Sequence, residues 1–127
     1  EDGSVMIVLA TDAPLTSRQL HRLCVRAAAG LARTGTVFDH GSGDFVIAFT
    51  TAYRVDHAPD RLLTDHAALA NERRAMDGLF PAVVESVEEA VLNSLWRAET
   101  VVGRDGHVRH ALPLEDVADL VDDHGLR

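Results

Sequence analysis

The chain has 127 residues, which is the length of one ordinary domain and too short for two separate cores. Apolar residues make up 46% of the chain and charged residues 25%, a balance typical of globular proteins rather than disordered ones. The formal net charge is −8, and all 12 basic residues are arginine. An acidic chain without a basic stripe binds phosphate backbones poorly, so we expect no nucleic-acid partner.

Membrane and export signals are not evident in the sequence. No apolar run approaches the roughly 20 residues that a bilayer-spanning helix needs, and no signal peptide is visible. The single Cys24 cannot form an internal disulfide and fits a reducing compartment. We therefore expect no membrane partner and a cytoplasmic location, with the periplasm as the alternative.

The first predicted element is a strand over residues 5–10. This run is short, rich in β-branched residues and apolar on both faces, which is typical of a buried strand. A helix should follow, because Thr16 and Gln19 have the spacing of a capping box, and Gly35 is a suitable C-terminal stop. The apolar residues of this helix recur with the spacing of one helical face, which consists of Leu20, Leu23, Cys24, Ala27, Ala28 and Leu31.

A turn at residues 41–44 precedes a second predicted strand over 45–50, which is again apolar throughout and is expected to be buried. Residues 54–66 carry Arg, Asp, His and Pro without a period, which predicts an exposed loop. The pattern over 65–76 does not decide between a short helix and irregular structure.

The longest predicted helix covers about 79–99. Pro81 is tolerable only in its first turn, where a missing N–H removes no helical hydrogen bond. Its apolar stripe consists of Leu79, Val83, Val87, Val91, Leu95 and Ala98. Residues 103–106 form a predicted turn, and a last helix over 114–123 should turn four side chains inward, namely Leu114, Val117, Leu120 and Val121.

This order of elements indicates an α+β or α/β fold. Two strands alone make a poor sheet, so further strands must come from elsewhere, and another chain is the expected source. We treat residues 1–127 as a portion of one domain.

Ser4 follows a glycine and immediately precedes the first strand. From spacing alone it is most simply a serine at the edge of a strand. The alternative is a latent N-terminal nucleophile, because Gly3 offers an unhindered carbonyl that the Ser4 hydroxyl could attack in an N→O acyl shift. Hydrolysis of the resulting ester would free the α-amine of Ser4, whose usual pKa of about 7.7–8.0 suits a base for its own hydroxyl.

Ser42 and Asp44 flank a glycine ahead of the second strand. Such triplets are usually plain turns, because these residue types favour turn conformations. In a catalytic interpretation, the Ser42 hydroxyl would exchange a hydrogen bond with the nucleophile, and the Asp44 carboxylate would orient donors and stabilise positive charge. His107 and His110 are three residues apart but belong to no metal-binding motif, so we expect no metal.

Several stretches of this sequence match a known pattern. Residues 3–15 read GSVMIVLATDAPL and residues 87–93 read VEEAVLN. Between them lie shorter matches at 18–20, 27–28, 30–31, 41–44 and 47–49. The sequence resembles the small subunit of the L-aminopeptidase/D-esterase family, which includes the β-peptidyl aminopeptidases. The resemblance covers most of the chain except the 53–77 region, and its first and last stretches are specific.

The resemblance implies an α+β fold, an αββα sandwich that resembles the N-terminal-nucleophile hydrolases and is completed by a larger α subunit. Family members are made as one precursor that cleaves itself in front of the nucleophile. Carried over to this sequence, the cleaved bond is Gly3–Ser4, the nucleophile is Ser4, and Ser42 and Asp44 assist it. Some members have Glu at the acidic position, and Asp44 is shorter by one methylene. Residues 1–3 then precede the self-cleavage point.

The resemblance also implies the function and the partners. We expect a self-processing serine aminopeptidase or amidohydrolase that removes N-terminal residues from short peptides, amides or esters through an acyl-enzyme on Ser4. The expected partners are the large α subunit from the same precursor, a small peptide or amide substrate, and further αβ units in a homo-oligomer. The oxyanion groups would come from the large subunit, and no cofactor or metal is expected.

Two other functions are alternatives to a serine aminopeptidase. One is an acyltransferase or polyamide-oligomer hydrolase of related fold, although those relatives usually carry Thr at the nucleophile position. The other is an unprocessed, non-catalytic protein with a binding or assembly role. Gly3 still precedes Ser4 in this sequence. Three explanations are compatible with this: an unprocessed form, impaired maturation, or an artificially delimited chain.

Overall fold

The structure is a computed structural model that describes residues 3–125. The predicted domain portion, 1–127, begins and ends outside the described residues, at 1, 2, 126 and 127. The chain divides into two compact units, one ending at Glu88 and one beginning at Glu89. In chain order the elements are β1 (Met6–Thr11), α1 (Ser17–Arg33), β2 (Phe45–Thr50), α2 (Glu72–Trp96), β3 (Val101–Val102), a 3₁₀ turn (Arg104–Gly106), β4 (Val108–Arg109) and α3 (Leu114–Asp123).

The first unit is built on a parallel pair of strands. β1 and β2 pair from Met6↔Phe45 to Thr11↔Thr50, and α1 connects them. Parallel neighbours need such a crossover, because the chain must return to the same end of the sheet before the second strand starts. Both strands were predicted, β2 with the bounds that it has. Within the described residues this sheet has two strands.

The expectation that both strands are buried is wrong for one face of the sheet. Burial alternates along each strand, so that one set of side chains is half-buried and the other is exposed. The exposed set is apolar and consists of Met6, Val8, Ala10, Phe45, Ile47 and Phe49. We call this set the outer face. The apolar sequence is compatible with burial on both sides, but the described part of the chain covers only the other side.

Helix α1 begins as the sequence predicts. The Thr16 hydroxyl accepts the Gln19 N–H, the Gln19 side chain accepts the Thr16 N–H at 2.8 Å, and these bonds complete the capping box. The helix ends before Gly35, whose φ of 97° is a conformation that glycine adopts at little cost. Of the predicted inward face, Leu23, Ala27 and Leu31 are buried, Leu20 and Cys24 are half-buried, and Ala28 is exposed.

Helix α2 begins at Glu72 rather than near Leu79, which corrects the prediction. The Asn71 side chain accepts the Arg74 N–H at 3.0 Å and caps this end. Pro81 therefore lies inside the helix and not in its first turn. In the undecided stretch 65–76, residues 65–71 are not helical, whereas 72–76 form the first part of α2. The predicted loop over 54–66 is exposed and irregular.

The first unit has its core between the half-buried sheet face, α1 and α2 up to Glu88. Its buried apolar side chains are Leu15, Leu23, Ala27, Leu31, Met76, Val83 and Val87. The two helices lie close together at Gly30, where an added Cβ would lie 2.5 Å from the carbonyl oxygen of Val84. Nearer the start of both helices, Arg18 and Arg22 pair with Glu72, and the Arg26 guanidinium lies 4.0 Å from the ring centre of Phe80.

In the second unit, β3 and β4 form a short antiparallel hairpin around the predicted turn. Asp105 adopts a φ of 56° at its tip. Helix α3 has the predicted bounds, but its predicted inward face is not buried in the described chain. Val117 is half-buried, whereas Leu114, Leu120 and Val121 are exposed. Among residues 3–125, no helix combines the length and apolar character needed to cross a membrane.

Candidate active site

The pairing of β1 with β2 brings two distant segments of the chain together. Parallel strands start at the same edge of a sheet, so the residues that precede each strand lie side by side. The N–H of Phe45 donates to the Val5 carbonyl at 3.0 Å and closes this edge. Gly3 and Ser4, which precede β1, therefore face the segment 42–44, which precedes β2.

Ser4 is exposed at this edge. Its Oγ accepts a hydrogen bond from the backbone N–H of Gly43 at 3.0 Å, across 39 positions of sequence. The hydroxyl hydrogen of Ser4 is left free by this arrangement, because the bond uses a lone pair of the oxygen. The nucleophile candidate thus has its oxygen held by the chain and its proton available for transfer.

Ser42 contacts the residue in front of Ser4. Its hydroxyl donates to the carbonyl oxygen of Gly3, and its Oγ also lies 3.5 Å from Oδ1 of Asp44. One hydroxyl proton cannot serve both acceptors at once, so Gly3 and Asp44 compete for it. The N–H of Ser42 donates to the Asp39 carbonyl at 2.9 Å. The tight turn therefore spans 39–42, slightly earlier than the predicted turn at 41–44.

The Asp44 side chain links the segment before β2 to the backbone at the start of β1. Its Oδ1 accepts the N–H of Val5 at 3.3 Å, and its side chain is otherwise exposed. This long hydrogen bond keeps the carboxylate on the side of the segment that faces Val5 and next to Ser42. The negative charge thus lies within reach of a positive charge that would develop at the neighbouring groups.

All the site residues predicted from the sequence meet at this edge: Gly3, Ser4, Ser42 and Asp44. Sequence reasoning missed the donor to Ser4, because that donor is the main chain of Gly43 and leaves no side-chain pattern to detect. Within residues 3–125, no group of three or more His, Cys, Asp and Glu side chains gathers as metal ligands would. His107 and His110 are both exposed.

A separate cavity lies on the helix side of the sheet. It has a volume of about 230 Å³ and is mainly apolar, with a lining that includes Leu9, Leu20, Leu23, Ala48, Leu79 and Val83. None of the four predicted site residues lines it. Its walls are the half-buried sheet face and the two helices, so it belongs to the packing of the first unit and not to the polar edge.

The edge brings together a strand-edge serine, a donor to its oxygen, a second hydroxyl on the preceding carbonyl and a nearby carboxylate. Groups of these types in this arrangement are chemically suited to acyl transfer. Comparison with known proteins identifies the class. Residues 1–109 match the model of peptidase family S58. The chain belongs to peptidase family S58, which confirms the predicted resemblance.

Relatives of this chain include a β-peptidyl aminopeptidase, BapA, of Sphingosinicella microcystinivorans. The two are 38% identical over 112 residues, which is 88% of this chain and 28% of BapA. The PH0078 protein of Pyrococcus horikoshii OT3 superposes with a TM-score of 0.78 and 47% identity over 94% of this chain and 33% of that one.

The L-aminopeptidase D-Ala-esterase/amidase of Ochrobactrum anthropi superposes with a TM-score of 0.73 and 32% identity, again over 94% of this chain and 33% of that one. That enzyme is described as a prototype for the serine aminopeptidases and as a new variant among the Ntn hydrolase fold. The predicted fold class is therefore confirmed. The chain spans about a third of the length of these relatives.

Proposed function

We propose that this chain is the C-terminal, small-subunit part of a self-processing serine aminopeptidase and that Ser4 is its nucleophile. One observation carries the proposal: the Ser42 hydroxyl donates to the carbonyl of Gly3, the group that Ser4 would attack, while Ser4 has its own oxygen held by Gly43. Family membership and the resemblance to serine aminopeptidases support the same assignment.

Self-cleavage starts with the uncleaved Gly3–Ser4 bond. The Ser4 oxygen attacks the carbonyl carbon of Gly3, and the Ser42 hydroxyl stabilises the negative charge that develops on the carbonyl oxygen. The C–N bond then breaks, the proton of the Ser4 hydroxyl ends on the Ser4 nitrogen, and an ester joins Gly3 to Ser4. Water hydrolyses this ester, releases the Gly3 carboxylate and leaves Ser4 with a free α-amine and a free hydroxyl.

Turnover repeats this chemistry on a substrate. The Ser4 oxygen attacks the scissile carbonyl, the amine or alcohol leaves, and water releases the acid from the acyl-enzyme. The proton is handled by the new α-amine of Ser4 or by Ser42, whose hydroxyl is free to turn to Asp44 once the Gly3 carbonyl has gone. Short peptides, amides and esters with a free amino end are the proposed substrates, as in the aminopeptidases that the chain resembles.

The large subunit of the same precursor is the proposed partner. The outer face of the β1–β2 sheet is apolar and exposed, with Met6 at 72% and Val8 at 65% exposure. The chain accounts for about a third of the length of its relatives, so most of such a protein lies outside it. Burying this face against a second sheet would complete the αββα sandwich, and assembly of such αβ units into a homo-oligomer is part of the same proposal.

The experiment is to express this segment within its full-length precursor, as wild type and as Ser4→Ala, and to measure intact masses. The wild type should yield a fragment that begins at Ser4 and should hydrolyse an aminoacyl p-nitroanilide. Ser4→Ala should stay uncleaved and inactive, because no hydroxyl remains to form the ester. Ser17→Ala, an exposed serine outside the site, is the matched control and should be cleaved normally. A processed and active Ser4→Ala protein would exclude Ser4 as the nucleophile.

Asp44→Asn tests the proposed role of the Asp44 carboxylate in the site. The amide keeps the shape and the acceptor for the Val5 N–H but removes the charge, so turnover should fall by about 10-fold or more. The thermal midpoint should change little, because the carboxylate is exposed. Equal kcat/KM values for the variant and the wild type would remove Asp44 from the mechanism.

A further inference from the structure

We propose that the backbone N–H of Gly43 positions the Ser4 oxygen for attack, in self-cleavage and in turnover, and that its loss slows both. The inference deepens the proposed function and rests on it, because it assigns a donor to the nucleophile that the function requires. It adds a main-chain hydrogen-bond donor to the predicted site.

The geometry singles out this one N–H. Gly43 N lies 3.0 Å from Ser4 Oγ, a normal distance for a hydrogen bond of this type. The N–H groups of Ser42 and Phe45 serve structural acceptors instead, the carbonyls of Asp39 and Val5. The strand edge is therefore closed by Phe45, and the bond from Gly43 to Ser4 is not needed to pair β1 with β2.

The chemistry needs the oxygen of Ser4 to present a lone pair to a carbonyl carbon. A serine oxygen has two lone pairs and one hydrogen. When one lone pair accepts from Gly43, the second is left for attack and the hydrogen for transfer. The hydrogen bond thus restricts the hydroxyl to the orientations that react, and it stabilises negative charge on the oxygen as the proton departs. Gly43 itself forms no covalent bond in either reaction.

Space around Gly43 allows a clean comparison of variants. A Cβ added there would lie 3.6 Å from Ser4 Oγ and 3.6 Å from the Phe45 ring, which are ordinary contacts. Its φ lies outside the left-handed region, so an L-residue is tolerated. Gly43→Ala keeps the N–H and is the conservative variant. Gly43→Pro removes the N–H, and replacement of Gly43 by glycolic acid removes it without adding a ring.

The test is a time course of Gly3–Ser4 cleavage in the full-length precursor for the wild type and these three variants, with thermal unfolding as a check on folding. Relative to Gly43→Ala, both N–H-free variants should cleave about 10-fold more slowly, the effect of one lost hydrogen bond in the transition state. In the processed fraction, kcat on an aminoacyl p-nitroanilide should fall by a similar factor, while KM stays within about twofold, because the N–H contacts the nucleophile and not the bound substrate.

Three other outcomes overturn the inference. If both N–H-free variants cleave as fast as Gly43→Ala, the hydrogen bond has no role in positioning. If Gly43→Pro is slow but the glycolic acid variant is not, the ring is responsible and not the lost donor. If the wild-type precursor itself is not cleaved and hydrolyses no substrate, the proposed function fails and this inference falls with it, which the parallel wild-type sample makes distinguishable from the first two.

Discussion

The two faces of the β1–β2 sheet carry side chains of the same apolar kind, but they have different surroundings. One face, with Ile7, Leu9, Val46 and Ala48, is half-buried against the helical layer, and Leu20 and Leu23 of α1 lie across it. The outer face has Phe45 at 62% and Ile47 at 56% exposure. Alternate residues of a strand point to opposite sides of the sheet, so burying both apolar faces requires a packed layer on each side. The described chain provides such a layer on one side.

The difference shows which face of the sheet the described chain leaves without a packing partner. A parallel sheet of two strands is seldom stable with one face in water. A contiguous exposed apolar patch of this kind usually marks an interaction surface. The polar edge that holds Ser4 lies between the two faces, so its geometry depends on the pairing of β1 with β2. The helical layer protects this pairing on one face, and the proposed large subunit would protect it on the other.

The largest expected effect comes from a charge on the outer face. Ile47→Asp should destabilise the full-length protein by about 3 kcal/mol or more, because the proposed large subunit would bury an unpaired carboxylate there. Chemical denaturation measures this, with Leu62→Asp as the control, since Leu62 is fully exposed in the loop. If Ile47→Asp is as harmless as Leu62→Asp, the outer face is solvated in the whole protein and the proposed partner does not cover it.

A smaller effect is expected on the covered side, where Gly30 lets α1 approach α2. Gly30→Ala would place a Cβ 2.5 Å from the Val84 carbonyl oxygen and 2.8 Å from the Val87 Cβ, so the helices must separate. We expect a loss of about 1–3 kcal/mol in the free energy of unfolding. Gly78→Ala is the matched control, because Gly78 is also helical but has no atom within 4 Å of the added Cβ.

The Gly78→Ala control should be neutral or more stable by up to about 1 kcal/mol, since alanine favours the helix over glycine. Urea titration of the two variants against the wild type gives the comparison. Equal stabilities for Gly30→Ala and Gly78→Ala would show that the close approach of the two helices is not required.

The smallest expected effect concerns the surface ion pairs of the same helices. The hydrogen bond from Arg18 is the largest factor that lowers the pKa of Glu72 below its usual 4.5, and the charges of Arg18 and Arg22 add to it. A lowered pKa in the folded state stabilises the protein above the unfolded pKa, and this contribution is lost as the pH falls through the lowered folded pKa.

Glu72→Gln should therefore reduce the stability slightly at neutral pH and hardly at all in strong acid, with a difference that shrinks in high salt because the pairs are partly exposed. Thermal midpoints at two pH values and two salt concentrations would test this. A difference between variant and wild type that is the same at both pH values would mean that ionisation of Glu72 contributes nothing.

Short-range signals in the sequence sufficed for several elements. The capping box of Thr16 and Gln19 predicted α1, and the unbroken apolar run over 45–50 predicted β2. The helical spacing of apolar residues over 114–123 predicted α3. These features depend on residues a few positions apart in the chain, so they can be recognised from the sequence alone. The serines and the acid of the candidate site were also identified, but through resemblance to a family, because the residues alone favoured a strand-edge serine and a plain turn.

Only the tertiary structure decided the remaining features. Helix α2 starts after Asn71, which caps it, and continues through Pro81. Met76, before the proline, is buried in the core, and tertiary packing of this kind can outweigh an unfavourable local residue. The contacts of Ser4 and Gly3 with Gly43 and Ser42 join residues 39 positions apart, and only strand pairing creates such neighbours. Which apolar face is covered is likewise a long-range property. Composition and periodicity identify faces that can be buried, whereas the parts of the chain that pack against them determine which ones are.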